Sequence, residues 1–204
     1  MTQAANLSAL GSNATTSGNL SSASTLTLQT NSTTALTIDT SQNATFAGTL
    51  TATGKLASSS MPTGSVLQVV NATYSTQVST ASGSYSDTGL TASITPSSSS
   101  SKILIIVQQV GCGKATNDTT LQLKLLRNST DLYWFERSGA WTGSGASNYI
   151  GTCGISYLDS PATTSSVTYK TQMAAFSAAA TVYTQFNVGA GVPASTITLM
   201  EIKG

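Results

Sequence analysis

The apolar side chains in residues 25–56 occur in pairs, with the even spacing that places side chains on one face of a β-strand. These pairs are Leu26 and Leu28, Leu36 and Ile38, and Phe46 and Leu50. Clusters of Ser, Thr, Asn and Gln, which favour turns, separate them. Ordering a residue costs roughly 1–2 kcal/mol, and two apolar side chains per strand cannot offset that cost alone. We therefore predict short strands that must pack against neighbouring chains or sheets.

The sequence changes character near residues 58–64, and nearly all charges and aromatic side chains follow that point. This change predicts a slender β-rich N-terminal region, residues 1–60, and a C-terminal head, residues 61–204. No segment keeps a helical period for three turns, and turn residues are frequent. The predicted strands of the head are 65–73, 90–95, 102–110, 119–127, 131–136, 148–158, 166–176, 180–188 and 195–202. The expected fold class is all-β, with an antiparallel β-sandwich or jelly roll as the head.

The predicted strand 102–110 is apolar on both faces. Ile103, Ile105 and Val107 alternate with Leu104 and Ile106. A sandwich strand normally shows one face to water, so the outward face is expected to meet something else. Another subunit or a covering loop of the same chain would explain it. Leu104 and Ile106 are thus candidates for a subunit interface or for the core.

Charge is scarce in this chain of 204 residues, which has eight basic and seven acidic side chains and a formal net charge of +1. The basic residues are scattered singly, whereas a nucleic-acid surface usually needs a basic stripe. No apolar run approaches the ~18 residues of a membrane-spanning helix. We therefore expect neither nucleic-acid binding nor membrane insertion.

The absence of histidine from the sequence limits catalysis. It excludes Ser-His and Cys-His nucleophile pairs and His-ligated metal sites. A pair of carboxylates brought together by folding, as in glycosidases, is the one catalytic arrangement left open. We expect a protein that is not an enzyme and that has no metal or cofactor.

The two cysteines, Cys112 and Cys153, lie in predicted strands that can be neighbours. A disulfide between them is sterically conceivable. Residues 1–20 have neither the basic start nor the apolar core of a secretion signal, so the expected compartment is reducing. That expectation favours two free thiols.

The order of several segments resembles tail-fibre and related fibre proteins of tailed bacteriophages. These segments are "LTIDTSQNATFAGTLTATGKL", "PTGSVLQVV", "ITPSSSSSKILI", "YLDSPATTSSVTYKTQM" and "ITLMEIKG". The resemblance covers residues 25–204, and its motifs are turn-and-strand signatures without an active site. It implies a homotrimer with an N-terminal shaft that attaches to other virion proteins and a C-terminal β-sandwich head.

In such a trimer, Leu26, Leu28, Leu36, Ile38 and Phe46 would pack around the common axis. The implied location is the virion, assembled in the host cytoplasm, and the implied role is recognition of a glycan or protein on the host surface. A capsid-surface head fibre or decoration protein would show much the same sequence and is the alternative.

Residues 136–149 form the longest predicted connection between strands, and four of its residues are candidates for receptor binding. Trp141 and Tyr149 lie among Gly and Ser, which would leave their rings accessible for stacking on sugars. Glu136 and Arg137 would add directional contacts. The structural alternative is that Trp141 pins its own loop or fills a seam of the trimer.

Overall fold

A computed structural model describes residues 26–30, 32–49, 57–115, 118–137, 148–177, 180–187, 191 and 193–204. By its internal contacts the chain divides into two compact units, Met1–Lys55 and Leu56–Gly204. The described residues form strands and their connections, with one short 3-10 turn at Ser58–Ser60. The predicted all-β fold class is therefore confirmed.

The first unit contains a three-stranded antiparallel sheet, whose strands are β1 (Leu26–Thr30), β2 (Thr33–Ile38) and β3 (Ala44–Phe46). Its register aligns the apolar residues of the sequence pattern. Leu28 lies opposite Leu36, and Leu36 lies opposite Phe46 on the other side. Leu26 likewise lies opposite Ile38. The described residues of this unit form this one layer, so no second layer among them covers the row.

The described residues of the second unit form ten strands. They are β4 (Val66–Tyr74), β5 (Val78–Thr80), β6 (Ser86–Ile94), β7 (Lys102–Lys114), β8 (Leu121–Arg127), β9 (Thr130–Glu136), β10 (Asn148–Asp159), β11 (Val167–Ala175), β12 (Val182–Thr184) and β13 (Ser195–Ile202). One sheet has the order β4-β13-β7-β10, with β12 and β5 continuing beside the far end of β7. The other sheet has the order β6-β11-β8-β9.

The pairing of the eight longer strands is that of a jelly roll. The first strand, β4, pairs with the last, β13, and the second, β6, pairs with the seventh, β11. In the same way β7 pairs with β10, and β8 pairs with β9. This is one long antiparallel hairpin that is folded over into two sheets, with all pairs antiparallel.

The core lies between the two sheets and follows the strand period. Ile103, Ile105 and Val107 of β7 are buried, as are Ile197 and Leu199 of β13. They meet buried residues of the other sheet, which include Leu90, Ile94, Leu125, Val167 and Tyr169. A second cluster around Leu121, Leu123, Met173 and Val182 continues the core. Burial of whole aliphatic side chains, each contributing about 1.5–3 kcal/mol, stabilises this unit.

Several strands of the head differ from the sequence expectations, and β5 and β12 are two of them. The short strand β5 was not expected, because its three residues carry only one apolar side chain. The expected strand 180–188 is shorter, since β12 ends at Thr184 and Gln185 adopts a positive φ of 52°. The backbone N–H of Gln185 donates instead to the carbonyl of Val110, 2.8 Å away. This single backbone hydrogen bond, which the sequence does not predict, thus takes the place of regular strand pairing after Thr184.

Candidate recognition surface

The outer face of the β6-β11-β8-β9 sheet carries a cluster of aromatic and charged side chains. Its members, which we call the Trp134 surface, are Tyr85, Gln122, Lys124, Trp134 and Arg137. Trp134 is on the edge strand β9, opposite Lys124 on β8, and 42% of its surface is exposed. The edge position explains why so large a ring remains open to solvent.

Charges surround these rings in a fixed geometry. The Lys124 ammonium lies 4.4 Å from the centre of the Tyr85 ring and 2.7 Å from an oxygen of Asp131. The guanidinium carbon of Arg137 lies 6.0 Å from the centre of the Trp134 ring. Both cations are within the range in which an aromatic face attracts positive charge.

Tyr85 connects the two halves of the Trp134 surface. Burial raises the pKa of its phenol, against the opposing effects of the Arg137 charge and a hydrogen bond with Trp134. The phenol therefore stays protonated, and it donates to the side-chain oxygen of Gln122 over 3.2 Å. These contacts hold the rings in place, so a ligand would meet an ordered surface.

The sequence-predicted receptor residues are only partly brought together. Glu136 ends β9, opposite Leu123, and Arg137 follows it. The carbonyl of Arg137 accepts a hydrogen bond from the Thr120 hydroxyl over 3.2 Å, which anchors the start of the following connection. Trp141 lies outside the described residues. Tyr149 lies on β10, opposite Gly113, but its side chain is not described.

Trp134 was missed by the sequence reasoning although a signal was present. Tyr133, Trp134 and Phe135 are consecutive in a strand, so side-chain alternation must turn at least one ring away from the core. Phe135 packs against the core, whereas Tyr133 and Trp134 are exposed. Tyr133 in turn lies 6.0 Å, centre to centre, from the Tyr157 ring of β10.

A second surface lies on the outer face of the other sheet, and it is aliphatic. Leu104 and Ile106, predicted as interface or core residues, are half-buried there. The register places Leu104 between Met200 of β13 and Leu158 of β10, and Val69 of β4 lies beyond Met200. Val69 and Leu158 are more than half exposed. We call this row, Val69, Met200, Leu104 and Leu158, the aliphatic row.

The apolar residues of the N-terminal sheet that the structure describes are also only partly covered. Leu36 and Ile38 are half-buried, and Phe46 is 44% exposed. The side chains of Leu26 and Leu28 are not described. The sheet therefore presents apolar surface that its own three strands do not enclose.

Several carboxylates of the head support the fold. Arg127 contacts both oxygens of buried Asp159, at 3.0 and 2.9 Å, and Tyr169 donates to the same carboxylate over 2.7 Å. Burial and this hydrogen bond raise the pKa of Tyr169, which stays protonated. Glu201 accepts from Ser97 and Gln68, and Asp87 accepts from Lys170 and Gln172. Each of these acids stabilises its own neighbourhood.

The described part of the chain has neither a metal-binding cluster nor a membrane-spanning helix. No group of three or more His, Cys, Asp or Glu side chains there is arranged to hold a metal ion. The same residues include no helix with the length and apolar character needed to cross a membrane.

Comparison with known proteins adds only distant structural similarity. No protein-family model matches the sequence, and no curated protein matches it. A crystal structure of the infectious bursal disease virus VP2 subviral particle matches 69% of the chain with a TM-score of 0.43 and 12% identity. A structure of the infectious bursal disease virus Gt strain matches 84% with a TM-score of 0.35 and 12% identity. The chain spans 34% and 47% of those two chains.

Proposed function

We propose that this protein is a subunit of a homotrimeric virion fibre, namely a tail fibre of a bacteriophage whose jelly-roll head recognises the host cell surface. The observation that carries the proposal is the N-terminal sheet. Its apolar residues are aligned across three strands, yet Leu36, Ile38 and Phe46 stay partly exposed. Copies of the same chain, packed around an axis, would bury them. The resemblance of residues 25–204 to fibre proteins supports the same assembly.

The aliphatic row is the second contact that we assign to the trimer. It runs across β4, β13, β7 and β10, four of the six strands of its sheet, without a charged residue. Exposed apolar rows of this kind mark protein interfaces. Contacts through both the N-terminal sheet and the head would keep the three heads together at the tip of the fibre.

Host recognition is assigned to the Trp134 surface together with the segment 136–149. An exposed indole beside a guanidinium and an amide can stack on the apolar face of a sugar while the polar groups bind its hydroxyls. Three copies of one head would raise weak binding at each site by avidity, by as much as ~10²–10⁴. The ligand class proposed is therefore a surface glycan.

A capsid-surface head fibre or decoration protein is the second candidate. The aliphatic row is consistent with it, because an apolar strip can pack on a capsid protein as well as on another copy of this chain. Under that proposal the protein would bind the particle through the head, and the Trp134 surface would have no receptor.

Two measurements test these proposals. Antibodies against residues 65–204, applied to intact particles, should label the tail in electron micrographs, and labelling of the capsid would favour the second candidate. Purified Trp134→Ala should lose binding to host cells while its melting temperature stays within about 2 °C of the parent protein. Tyr133→Ala, which removes a neighbouring exposed ring, is the matched control, and the same comparison applies to Trp141→Ala. Unchanged binding in both tryptophan variants would contradict the recognition role.

A further inference from the structure

Cys112 and Cys153 lie on the paired strands β7 and β10, and both are buried in the same core cluster. Gln109 is the residue directly opposite Cys153 in the register. The Cys112 sulfur lies 3.1 Å from the carbonyl oxygen of that same Gln109. The Cys112 side chain is thus directed back along its strand, towards the position that faces Cys153.

The two thiols also contact each other. The hydrogen bond between them and burial raise the pKa of Cys112, while the same hydrogen bond lowers the pKa of Cys153. Cys153 is therefore the thiol of the pair whose pKa is lowered, and the Cys112 thiol lies beside it with its S–H directed to the Gln109 carbonyl. A thiolate next to a thiol is the arrangement from which a disulfide forms.

The backbone around this pair is irregular. The register between β7 and β10 shifts on both sides of Gly151, which lies opposite Cys112 and has a φ of 93°. Paired strands whose backbone hydrogen bonds are interrupted open locally at a lower free-energy cost than regularly paired strands. Such an opening gives a small oxidant access to thiols that are otherwise buried.

We propose that Cys112 and Cys153 are an oxidisable pair that closes into an intrachain disulfide between β7 and β10 when the protein meets a small-molecule disulfide such as oxidised glutathione. The bond would cross the ladder at its irregular point. This inference does not depend on the proposed fibre function.

The chemistry balances as two exchange steps. The Cys153 thiolate attacks one sulfur of oxidised glutathione, so that the glutathione disulfide breaks, a mixed disulfide forms and one glutathione leaves. The Cys112 thiol then loses its proton, and its sulfur displaces the second glutathione. One S–S bond has been exchanged for another, and the two thiol protons end on two glutathione molecules.

The test uses the full chain, incubated in its native state with either oxidised glutathione or dithiothreitol. It is then denatured in the presence of N-ethylmaleimide, which alkylates free thiols, and its mass is measured by mass spectrometry. The reduced protein should take up two maleimides, one for each cysteine. The oxidised protein should take up none and should be lighter by about 2 Da, as expected for loss of two hydrogens. Peptide mapping should join Cys112 to Cys153, and the melting temperature should rise by at least about 4 °C.

The control is Cys112→Ser, which should stop at a mixed disulfide between Cys153 and glutathione. Two alkylated thiols in the oxidised native protein would overturn the proposal, and so would a disulfide between chains on non-reducing gels. A fall in melting temperature on oxidation would also overturn it, because it would show that the strands must distort to form the bond. The measurements on the parent protein decide the question even where the serine variant does not fold.

Discussion

The N-terminal sheet and the jelly roll use the same strand period but differ in how their apolar residues are covered. In the jelly roll, Ile105 and Leu199 are 0% exposed because a second sheet lies over them. In the N-terminal sheet, Phe46 is 44% exposed although it is aligned with Leu36 on the neighbouring strand. The difference teaches that alternation places apolar side chains on one face, whereas the number of layers decides whether that face is buried. The jelly roll stabilises itself through its own second sheet, whereas the apolar face of the N-terminal sheet stays partly exposed.

Ile105→Asp should have the largest effect on the self-stabilised region. It places an unpaired charge at a fully buried position, at a cost of more than about 4 kcal/mol. We expect loss of the cooperative unfolding transition and of the near-ultraviolet circular dichroism signal. Ile106→Asp, on the half-buried outer face of the same strand, is the matched control and should still fold. Equal damage in both variants would show that the outer face is as closed as the core.

Gly89→Ala should have the next largest effect. Gly89 has a φ of 86°, and an added Cβ would lie 2.2 Å from the ring of Tyr74. Strain and crowding together should lower the free energy of unfolding by roughly 2–4 kcal/mol, measured by urea titration. Gly64 has a similar φ, but an added Cβ there would meet no atom within 4 Å. Gly64→Ala therefore measures the backbone strain without the crowding. Gly48 follows β3 and its added Cβ would meet nothing within 4 Å, so Gly48→Ala should be nearly neutral.

Acid should weaken the jelly roll through Glu201. Burial acts to raise the pKa of this carboxyl, but hydrogen bonds from Ser97 and Gln68 outweigh it and hold the pKa below the usual 4.5. The folded-state pKa is below the unfolded one, so the contribution is complete above pH 4.5 and is lost as pH falls through the folded value.

The melting temperature should therefore decrease as the pH is lowered below 4.5. Glu201→Gln should make the melting temperature depend less on pH in that range. The pH dependence of the melting temperature that remains in Glu201→Gln is expected from Asp87. Hydrogen bonds from Gln172 and Lys170 also lower the pKa of Asp87, despite its burial. Asp39→Asn offers a comparison in the N-terminal sheet. Its pKa is lowered by hydrogen bonds from Asn43 and Ser41, and since it is exposed, the melting of the jelly roll should not respond to its loss. An unchanged slope in Glu201→Gln would contradict this assignment.

Phe46→Ser should have the smallest effect on the stability of the jelly roll and a clear effect on assembly. It removes the most exposed ring of the N-terminal sheet, so sedimentation should show a weaker trimer. The free energy of unfolding of the jelly roll should stay within about 0.5 kcal/mol of that of the parent protein. Thr45→Ser, on the neighbouring exposed position, should leave the trimer intact. A full chain that sediments as a monomer at all concentrations would refute the proposed assembly.

Sequence reasoning located most strands because their signals are local. The strand predicted at 195–202 coincides with β13, and the strand predicted at 65–73 differs from β4 by one residue at each end. β7 extends four residues past the predicted end. The sequence does not predict this extension because Gly111 and Gly113 carry no side chains and so interrupt the alternating pattern. β5 was missed because three residues rich in Ser and Thr carry no periodic signal, and its pairing with β12 is a tertiary contact.

The candidate site was predicted less well than the fold. Arg137 was selected from the sequence and lies beside the Trp134 ring, which the sequence reasoning did not select. Tyr85 lies more than thirty positions before Lys124 in the sequence, and only the pairing of β6, β11 and β8 brings the two together. No local pattern predicts a contact of that kind.

The sequence by itself determined the fold class, most strand positions and which residues of each strand share a face. These properties depend on the side-chain alternation of an extended backbone, which is a property of neighbouring residues. Only the tertiary structure decided the jelly-roll pairing, the meeting of Cys112 with Cys153 and the difference between a charged and an aliphatic outer face. Those features depend on which strands become neighbours, and that choice is made by packing two sheets around one core, which depends on all the strands at once.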